Sequence, residues 1–180
     1  MESYAELLRN VLDSLVSLKF DRKNKLNLYM LCLYCTIVEI SDSLICLARN
    51  GKGVGVPVLR RTLLEAHVDL KNLEENPEYC YNMDASNIQE WLRVTKEAGN
   101  LENPYLKGMA DLDDFDDQIA EWEKELQQLR QDGYPVLKNI QEFEAVEMLA
   151  EYRSVYNFMC SESHNNIRSL QGRHIQITED

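Results

Sequence analysis

Apolar residues recur at steps of three and four along almost the whole chain, which is the spacing of one face of an α-helix. The 180 residues show no convincing strand alternation before the last few positions. Only 7 glycines and 4 prolines are present, too few for a fold built from many short strands and turns. The pattern therefore predicts an all-α fold, a single helical bundle of about six helices that forms one domain over residues 1–180.

Capping and stop signals divide this pattern into helices. Gly51 and Gly133 indicate helix C-termini, because glycine readily takes the left-handed conformation found there, and Pro57 suits a first helical turn. The predicted helices cover approximately residues 3–18, 21 or 24 to 50, 57–75, 76–99, 111–132 and 141–161. After the last of them, the segment RHIQITED is expected to form a short strand or a frayed tail.

The second predicted helix is the most apolar segment of the chain. Its longest nearly unbroken apolar run, from Leu28 to Val38, is much shorter than the ~20 residues that cross a bilayer, and Glu39 and Asp42 follow it. We therefore expect a buried central helix and no membrane partner. The first residues lack the features of a secretory signal, and five scattered cysteines fit reduced thiols, so the expected location is cytoplasmic.

The net charge of −12 is unevenly distributed along the sequence. Residues 111–125 hold eight acids and one lysine, so they carry −7 and the other 165 residues carry −5. Acids at a helix start complement the helix dipole, and the functional alternative is a docking surface, as in an acidic inhibitor of a basic protein. The reverse sign occurs between residues 49 and 61, where four basic residues stand without an acid: Arg49, Lys52, Arg60 and Arg61.

This charge pattern decides which polyanions the chain can bind. A net charge of −12 argues against nonspecific binding to duplex DNA, because the average field of the protein repels phosphates. The locally positive stretch leaves room for a small anion or a specific RNA near residues 49–67.

The third predicted helix carries a charged stripe with apolar residues on both sides. At 100° per residue, Arg61, Glu65 and Asp69 share this stripe, and Arg61 and Glu65 are spaced to form an i, i+4 ion pair. Such a stripe favours a semi-buried cleft. The cleft is either a structural ion-pair network or a polar pocket with a catalytic or ligand-binding carboxylate. Arg60 and His67 lie on a different face, which we expect to meet solvent.

A second polar segment lies near the end of the last predicted helix. Asn157 and His164 are seven residues apart and share one side of a continuous helix, with Ser161 close to the same line. His164 is flanked by serine and asparagine residues. It is interpreted either as part of a hydrogen-bond cluster that ends the helix or as a functional histidine.

Together these two segments resemble DUF5677, a large bacterial domain family of unknown function. The resemblance spans roughly residues 40–170 and rests on a glycine-containing turn, an Arg-x-x-x-Glu helix and a Tyr-rich helix that ends in Ser-x-x-His. The matching positions are Arg61, Glu65, Asp69, Tyr156, Ser161 and His164. The resemblance implies an all-helical fold, no established reaction and a cleft shared by the two segments. It also implies a chain that is truncated at its C-terminus, since family members usually continue further.

The leading hypothesis is a cytoplasmic helical interaction or regulatory module, in a bacterial defence or stress context, with a semi-buried polar cleft. Its expected partner is another protein or a second copy of the chain. Whether the module is an enzyme stays open at this point. The candidate catalytic groups of the cleft are Glu65, Asp69 and His164, and the candidate ligand-binding groups are Arg61, Tyr156, Asn157 and Ser161.

The alternative hypothesis is a metal-independent helical ribonuclease of toxin or defence type. The chain resembles the higher eukaryotes and prokaryotes nucleotide-binding fold, whose members are small helical bundles with an arginine, four to six residues, and then a histidine. Arg60 precedes His67 with six residues between them and shares its helix face. His67 would act as the base toward a ribose 2′-hydroxyl, and Arg60 would stabilise the phosphorane.

Neither hypothesis requires a cofactor. The one cysteine pair with metal-ligand spacing, Cys32 and Cys35, lies inside an apolar helix and has no second pair to complete a zinc site. We therefore expect no metal site and no cofactor.

Overall fold

The computed structural model describes residues 2–100, 103–110, 114–164 and 166–175. Within these residues the chain is helical and contains no strand, which confirms the all-α prediction. The helices are α1 (Glu2–Val16), α2 (Lys25–Arg49), α3 (Val56–Glu75), α4 (Tyr79–Ala98), α5 (Lys107–Ala110), α6 (Phe115–Gln131), α7 (Asn139–Ala145), α8 (Leu149–Glu151), a π-helical turn (Tyr152–Tyr156), α9 (Asn157–Ser163) and α10 (Ile167–His174).

The chain forms two compact units. The first comprises Met1–Glu75 together with Asn139–Asp180, and the second comprises Asn76–Lys138. Each unit has buried apolar residues of its own. A single domain over residues 1–180 stays a prediction.

Helices α2 and α6 end at the glycines that the sequence marks as stops. Gly51 and Gly133 take φ values of 64° and 96°, in the left-handed region. Beyond Gly51, the N–H of Lys52 donates to the carbonyl of Leu47 at 2.9 Å, which is the six-to-one hydrogen bond of a Schellman cap. At the other end of α2, Asn24 is the N-cap, as its position in the sequence indicates.

The predicted sixth helix is not continuous. It is interrupted after α7 by the same type of cap, where Glu147 takes a φ of 58° and the N–H of Met148 donates to the carbonyl of Phe143 at 2.8 Å. A glutamate gives no stop signal, because left-handed backbone costs a residue with a Cβ about 1–2 kcal/mol. The chain then continues through α8, the π-helical turn and α9.

Helix α10 occupies part of the segment for which a strand or a frayed tail was expected. Arg173 and His174 form its last turn, and Asn166 caps its start by accepting a hydrogen bond from the N–H of Arg168 at 2.9 Å. The rest of that prediction, on residues 176–180, lies outside the described residues.

The sequence predicts that α2 is a buried central helix. In the structure α2 is much less buried than this, so that part of the prediction is wrong. Its three buried residues are Val38, Ser41 and Ile45, and α1 packs on this side through Leu8. The helix is long and apolar enough to cross a membrane by length and composition, with a mean hydropathy of 1.8 in its most apolar window, yet only 17% of that window is buried. Much of its apolar surface therefore lacks a covering element within the described residues.

The first unit is built around α3. One face of this helix packs along α2, and the neighbouring face packs on α7, on α9 and on Tyr156 of the π-helical turn. On that second side, Val68 joins Phe143, Val146 and Tyr156 in an apolar core. The charged stripe of α3 lies beside this core, so its polar side chains are held between helices.

In the second unit, α6 packs on α4. The apolar stripe of α6 contacts α4 through Leu126, with Ile119, Trp122 and Leu129 at the margin of the same core. An ion pair of 2.5 Å between Lys96 and Glu123 crosses this helix pair. The apolar stripe of α6 is therefore covered by α4.

Candidate functional site

Glu65 on α3 is the centre of a hydrogen-bond network. Its Oε1 accepts from the Nε of Arg61 at 3.1 Å and from the hydroxyl of Tyr156 at 2.7 Å. The amide of Asn139 donates to the Tyr156 hydroxyl at 2.8 Å and lies 3.4 Å from Glu65 Oε1. These four residues, Arg61, Glu65, Asn139 and Tyr156, are called the Glu65 cluster.

Local backbone structure positions each member of the cluster. Arg61 and Glu65 lie one turn apart on α3, and Asn139 is the first residue of α7. Tyr156 ends the π-helical turn, a wider turn that shifts the helix register and often occurs at functional sites. Three different segments therefore meet at one carboxylate oxygen.

The cluster rests on a rigid aromatic base. The Tyr156 ring is 4% exposed, stacks on Tyr152 with centroids 5.2 Å apart, and lies 5.0 Å from the Phe143 ring. The guanidinium carbon of Arg61 lies 5.6 Å from the centroid of the Tyr156 ring, within range of a cation–π contact. The polar groups are therefore fixed by packing as well as by hydrogen bonds.

The charged pair of the cluster is half-buried, because the Arg61 and Glu65 side chains are 30% and 29% exposed. Burial alone lowers the pKa of Arg61, but attraction to Glu65 and to Tyr156 outweighs it and raises the pKa of the guanidinium above its ordinary value. Burial also raises the pKa of Tyr156, and its hydrogen bond to Glu65 and repulsion from the Glu65 charge add to this effect. At neutral pH, Arg61 is therefore charged and Tyr156 keeps its proton.

Two further residues of α3 attach α7 and the residue after it to the same helix. The buried amide of Asn72 donates to the carbonyl of Glu142 at 3.0 Å, and Lys71 donates to the carbonyl of Val146 at 3.4 Å. Glu142 lies inside α7, and Val146 directly precedes the left-handed residue Glu147. These bonds hold α7 against α3 and so fix the position of Asn139.

The structure brings together only some of the residues predicted for the cleft. Arg61, Glu65 and Tyr156 meet in the Glu65 cluster. Asp69 is half-buried on the same stripe, but among the described residues no hydrogen bond joins it to the cluster. Ser161 is half-buried and Asn157 is exposed, and they too lie outside the network, as does His164.

His164 follows α9 as its C-cap. Its side chain is exposed and makes no hydrogen bond or ion pair with the part of the chain that the structure describes. The hydrogen bonds at this helix end come instead from Glu162, which accepts from the Ser169 hydroxyl at 2.5 Å, and from Arg173, which donates to the Glu162 carbonyl at 3.0 Å. The polar sequence around His164 thus joins α9 to α10.

Arg60 and His67 do share a groove. Both side chains are exposed, and both line a cavity of about 290 Å³. Neither makes a hydrogen bond or an ion pair within the described residues. The cavity, called the Arg60–His67 groove, is lined by Arg60, Leu63, Leu64, His67, Val155 and Met159.

The acidic segment lies at the start of α6. Asp114, Asp116 and Asp117 are exposed there, whereas Asp111 and Asp113 lie outside the described residues. A docking surface for a basic partner at this place stays a prediction.

A search of the described residues for metal-ligating groups finds no set of three or more histidine, cysteine, aspartate or glutamate side chains that could hold a metal ion. Cys32 and Cys46 are exposed on α2, and Cys35 is partly exposed, all three as free thiols.

One comparison with known proteins gives a match. The sequence model of a protein family described as a family of unknown function, DUF5677, matches residues 27–180. This match confirms the resemblance seen in the sequence. The matched region contains the whole Glu65 cluster, and α1 precedes it. Neither the curated proteins nor the solved structures give a match.

Proposed function

We propose, for a chain that belongs to the DUF5677 family of unknown function, that it is a helical recognition module in which Arg61 binds an anionic group of a ligand. The proposal rests on the surroundings of the Arg61 side chain, which is held on two sides and is still 30% exposed. Its Nε donates to Glu65 and one face lies on the Tyr156 ring. The exposed part of the guanidinium is open to a ligand.

The chemistry of a guanidinium defines the ligand class. Its planar edge matches two oxygens of a carboxylate or a phosphate, and the charge-assisted hydrogen bonds formed there are stronger than neutral ones. Restraint by Glu65 and Tyr156 reduces the conformational entropy that Arg61 loses on binding, which favours affinity. We assign a phosphate-type anion as the ligand.

The surrounding charge supports the same ligand. Residues 43–64 contain four basic residues and no acid, in a chain whose net charge is −12. Two of them, Arg49 and Lys52, lie at the end of α2 and in the loop before α3, and Arg60 precedes Arg61 on α3 itself. Local positive potential raises the concentration of anions at this end of α3.

Calorimetric titration with inorganic pyrophosphate tests the proposal. Wild type should bind with a saturable signal, Arg61→Ala should weaken binding at least tenfold, and Arg61→Lys should weaken it as well, because an ammonium does not reproduce the planar edge. Arg93→Ala is the matched control, since Arg93 is also paired with a glutamate one turn away on its own helix. Equal weakening by Arg61→Ala and Arg93→Ala would refute a specific site at Arg61.

A second candidate function, a metal-independent ribonuclease, is favoured by the Arg60–His67 groove. There His67 would remove the proton of a ribose 2′-hydroxyl, whose oxygen attacks the adjacent phosphorus while the bond to the 5′-oxygen breaks. Arg60 would stabilise the extra negative charge of the phosphorane, and water would return a proton to the leaving oxygen.

Incubation with single-stranded RNA in the presence of a chelator tests this candidate. The expected products end in a 2′,3′-cyclic phosphate, and His67→Ala should abolish their formation while His174→Ala should not. Intact RNA after incubation with wild type, or cleavage that survives in His67→Ala, would eliminate it. Pyrophosphate binding at Arg61 is measured without RNA, so the two functions succeed or fail separately.

A further inference from the structure

An apolar groove runs between α1 and α2, away from the Glu65 cluster. It consists of two cavities of about 690 and 150 Å³ that share Tyr34. Large apolar side chains along it are exposed: Leu7 is 58%, Leu18 is 52% and Tyr34 is 38% exposed. The name α1–α2 groove is used for the surface formed by Tyr4, Leu7, Leu18, Met30, Leu31 and Tyr34.

We infer that the α1–α2 groove binds a second copy of this chain and forms a twofold-symmetric dimer. Helix α2 supplies the first reason, because its most apolar window has a mean hydropathy of 1.8 but is only 17% buried. Contiguous apolar surface of this kind marks an interaction site in a folded protein. A partner that covers the groove removes this surface from water.

The charge of this part of the chain suits a second copy as the occupant. Residues 1–49, which contain α1 and α2, hold six acidic and six basic residues, so their net charge is zero. The remaining 131 residues therefore carry the whole net charge of −12. Two copies that meet at the α1–α2 groove therefore bring together segments of no net charge, and the strongly negative parts of the two chains need not face each other.

The same charges disfavour a membrane as the occupant. A helix that lies on a bilayer carries lysine and arginine along its polar face. The rim of the larger cavity instead has mixed charge, from Lys19, Asp21 and Glu74. On α2 itself the exposed charges are mixed as well, with Glu39 and Asp42 on the helix and Lys25 and Arg49 at its two ends.

The groove is self-complementary. Tyr4 and Leu7 project at one end, beside the smaller cavity, and the larger cavity opens at the other end beside Leu18. In a twofold dimer every contact occurs twice, so an axis midway between Leu7 and Leu18 places the projecting end of each copy in the larger cavity of the other.

Sedimentation equilibrium of the full chain tests the dimer. Wild type should change from 21.0 kDa to twice that mass as its concentration rises, and added salt should favour the dimer by screening the negative charge outside the groove. Leu7→Glu and Leu18→Glu should each raise the dimer dissociation constant at least tenfold. Both side chains are more than half exposed, so these variants should keep wild-type circular dichroism.

Opposite charges introduced at Leu7 and Leu18 test where the symmetry axis of the dimer lies. If Leu7 of one copy faces Leu18 of the other, combining Leu7→Glu with Leu18→Lys in one chain should restore part of the affinity that Leu7→Glu removes. Combining Leu7→Glu with Leu18→Glu should weaken the dimer further. The control is Val54→Glu, because Val54 is an exposed apolar residue outside the groove, at 63%, and its substitution should have no effect.

Three results would overturn the inference. The first is a chain that stays monomeric at every concentration. The second is a dimer that Leu7→Glu and Leu18→Glu affect no more than Val54→Glu does. The third is co-sedimentation of the monomer with neutral phosphatidylcholine vesicles that Leu7→Glu abolishes, which would assign the groove to a membrane surface.

Discussion

The hydroxyl of Tyr156 donates a 2.7 Å hydrogen bond to Oε1 of Glu65, a residue 91 positions earlier in the chain. This bond joins the π-helical turn to α3 at the point where Arg61 is held by the same oxygen. It couples the packing of the helical core to the position of the one guanidinium that we assign to ligand binding.

Replacing Tyr156 with phenylalanine should lower the free energy of unfolding by about 1–2 kcal/mol, because Glu65 loses a donor and Asn139 loses an acceptor in a half-buried place. Urea unfolding followed by circular dichroism measures the change. Tyr152→Phe is the matched control, since the Tyr152 hydroxyl makes no hydrogen bond within the described residues. An equal loss in both variants would mean that the bond to Glu65 contributes nothing to stability.

Alkaline pH should destabilise wild type more than Tyr156→Phe. The pKa of Tyr156 in the folded chain is raised by burial and by Glu65, whereas in the unfolded chain it is about 10. Above pH ~10 the unfolded chain releases this proton and the folded chain keeps it, so the free energy of unfolding falls as pH rises. Unfolding in urea at pH 8 and pH 11 measures the difference, and parallel pH dependence in the two proteins would contradict it.

Glu147→Gly should stabilise the chain by about 0.5–1 kcal/mol. Glycine adopts the left-handed conformation without a Cβ penalty, and this gain exceeds its extra loss of entropy on folding. Glu144→Gly is the control, since residue 144 lies inside α7 and glycine there should destabilise by a similar amount. Thermal unfolding compares the two, and a lower melting temperature for Glu147→Gly would contradict the assignment of a left-handed cap.

Asn72→Ala should cost about 1–3 kcal/mol, because it leaves the carbonyl of Glu142 without its donor in a buried place. The exposed Asn87→Ala on α4 serves as the comparison and should change stability by less than about 0.5 kcal/mol. Chemical denaturation measures both. A neutral Asn72→Ala would show that the hydrogen bond from Asn72 contributes nothing to holding α7 against α3.

The sequence predicts local features well where a residue type strongly favours one backbone conformation or one contact. Glycine at positions 51 and 133 predicts two helix ends, and the i, i+4 spacing of Arg61 and Glu65 predicts their pairing. The alternation of faces on α3 also separates the exposed Arg60 and His67 from the half-buried stripe. These features depend on residues within one or two helical turns of each other.

Features that depend on how distant parts of the chain pack together could not be predicted from the hydrophobic periodicity. Glu147 ends a helix in a conformation that glutamate rarely adopts, so the sequence predicts a continuous helix there. His164 leaves the helical line of Asn157 because α9 ends at Ser163 and His164 takes an extended conformation. Asn139 has no neighbouring signal, and it joins the cluster because Asn72 and Lys71 hold α7 in place. The family resemblance identified Tyr156, but its contact with Glu65 needed the fold.

The most direct test of the central claim is the NMR signal of the Arg61 Nε–H group in protein labelled with nitrogen-15 at arginine. The hydrogen bond to Glu65 should protect this proton from exchange with water, so that its signal is visible at neutral pH. As inorganic pyrophosphate is added, the Arg61 signal should move further than that of any other arginine and reach a plateau. A stationary Arg61 signal, with shifts confined to exposed arginines such as Arg49 and Arg60, would contradict the claim.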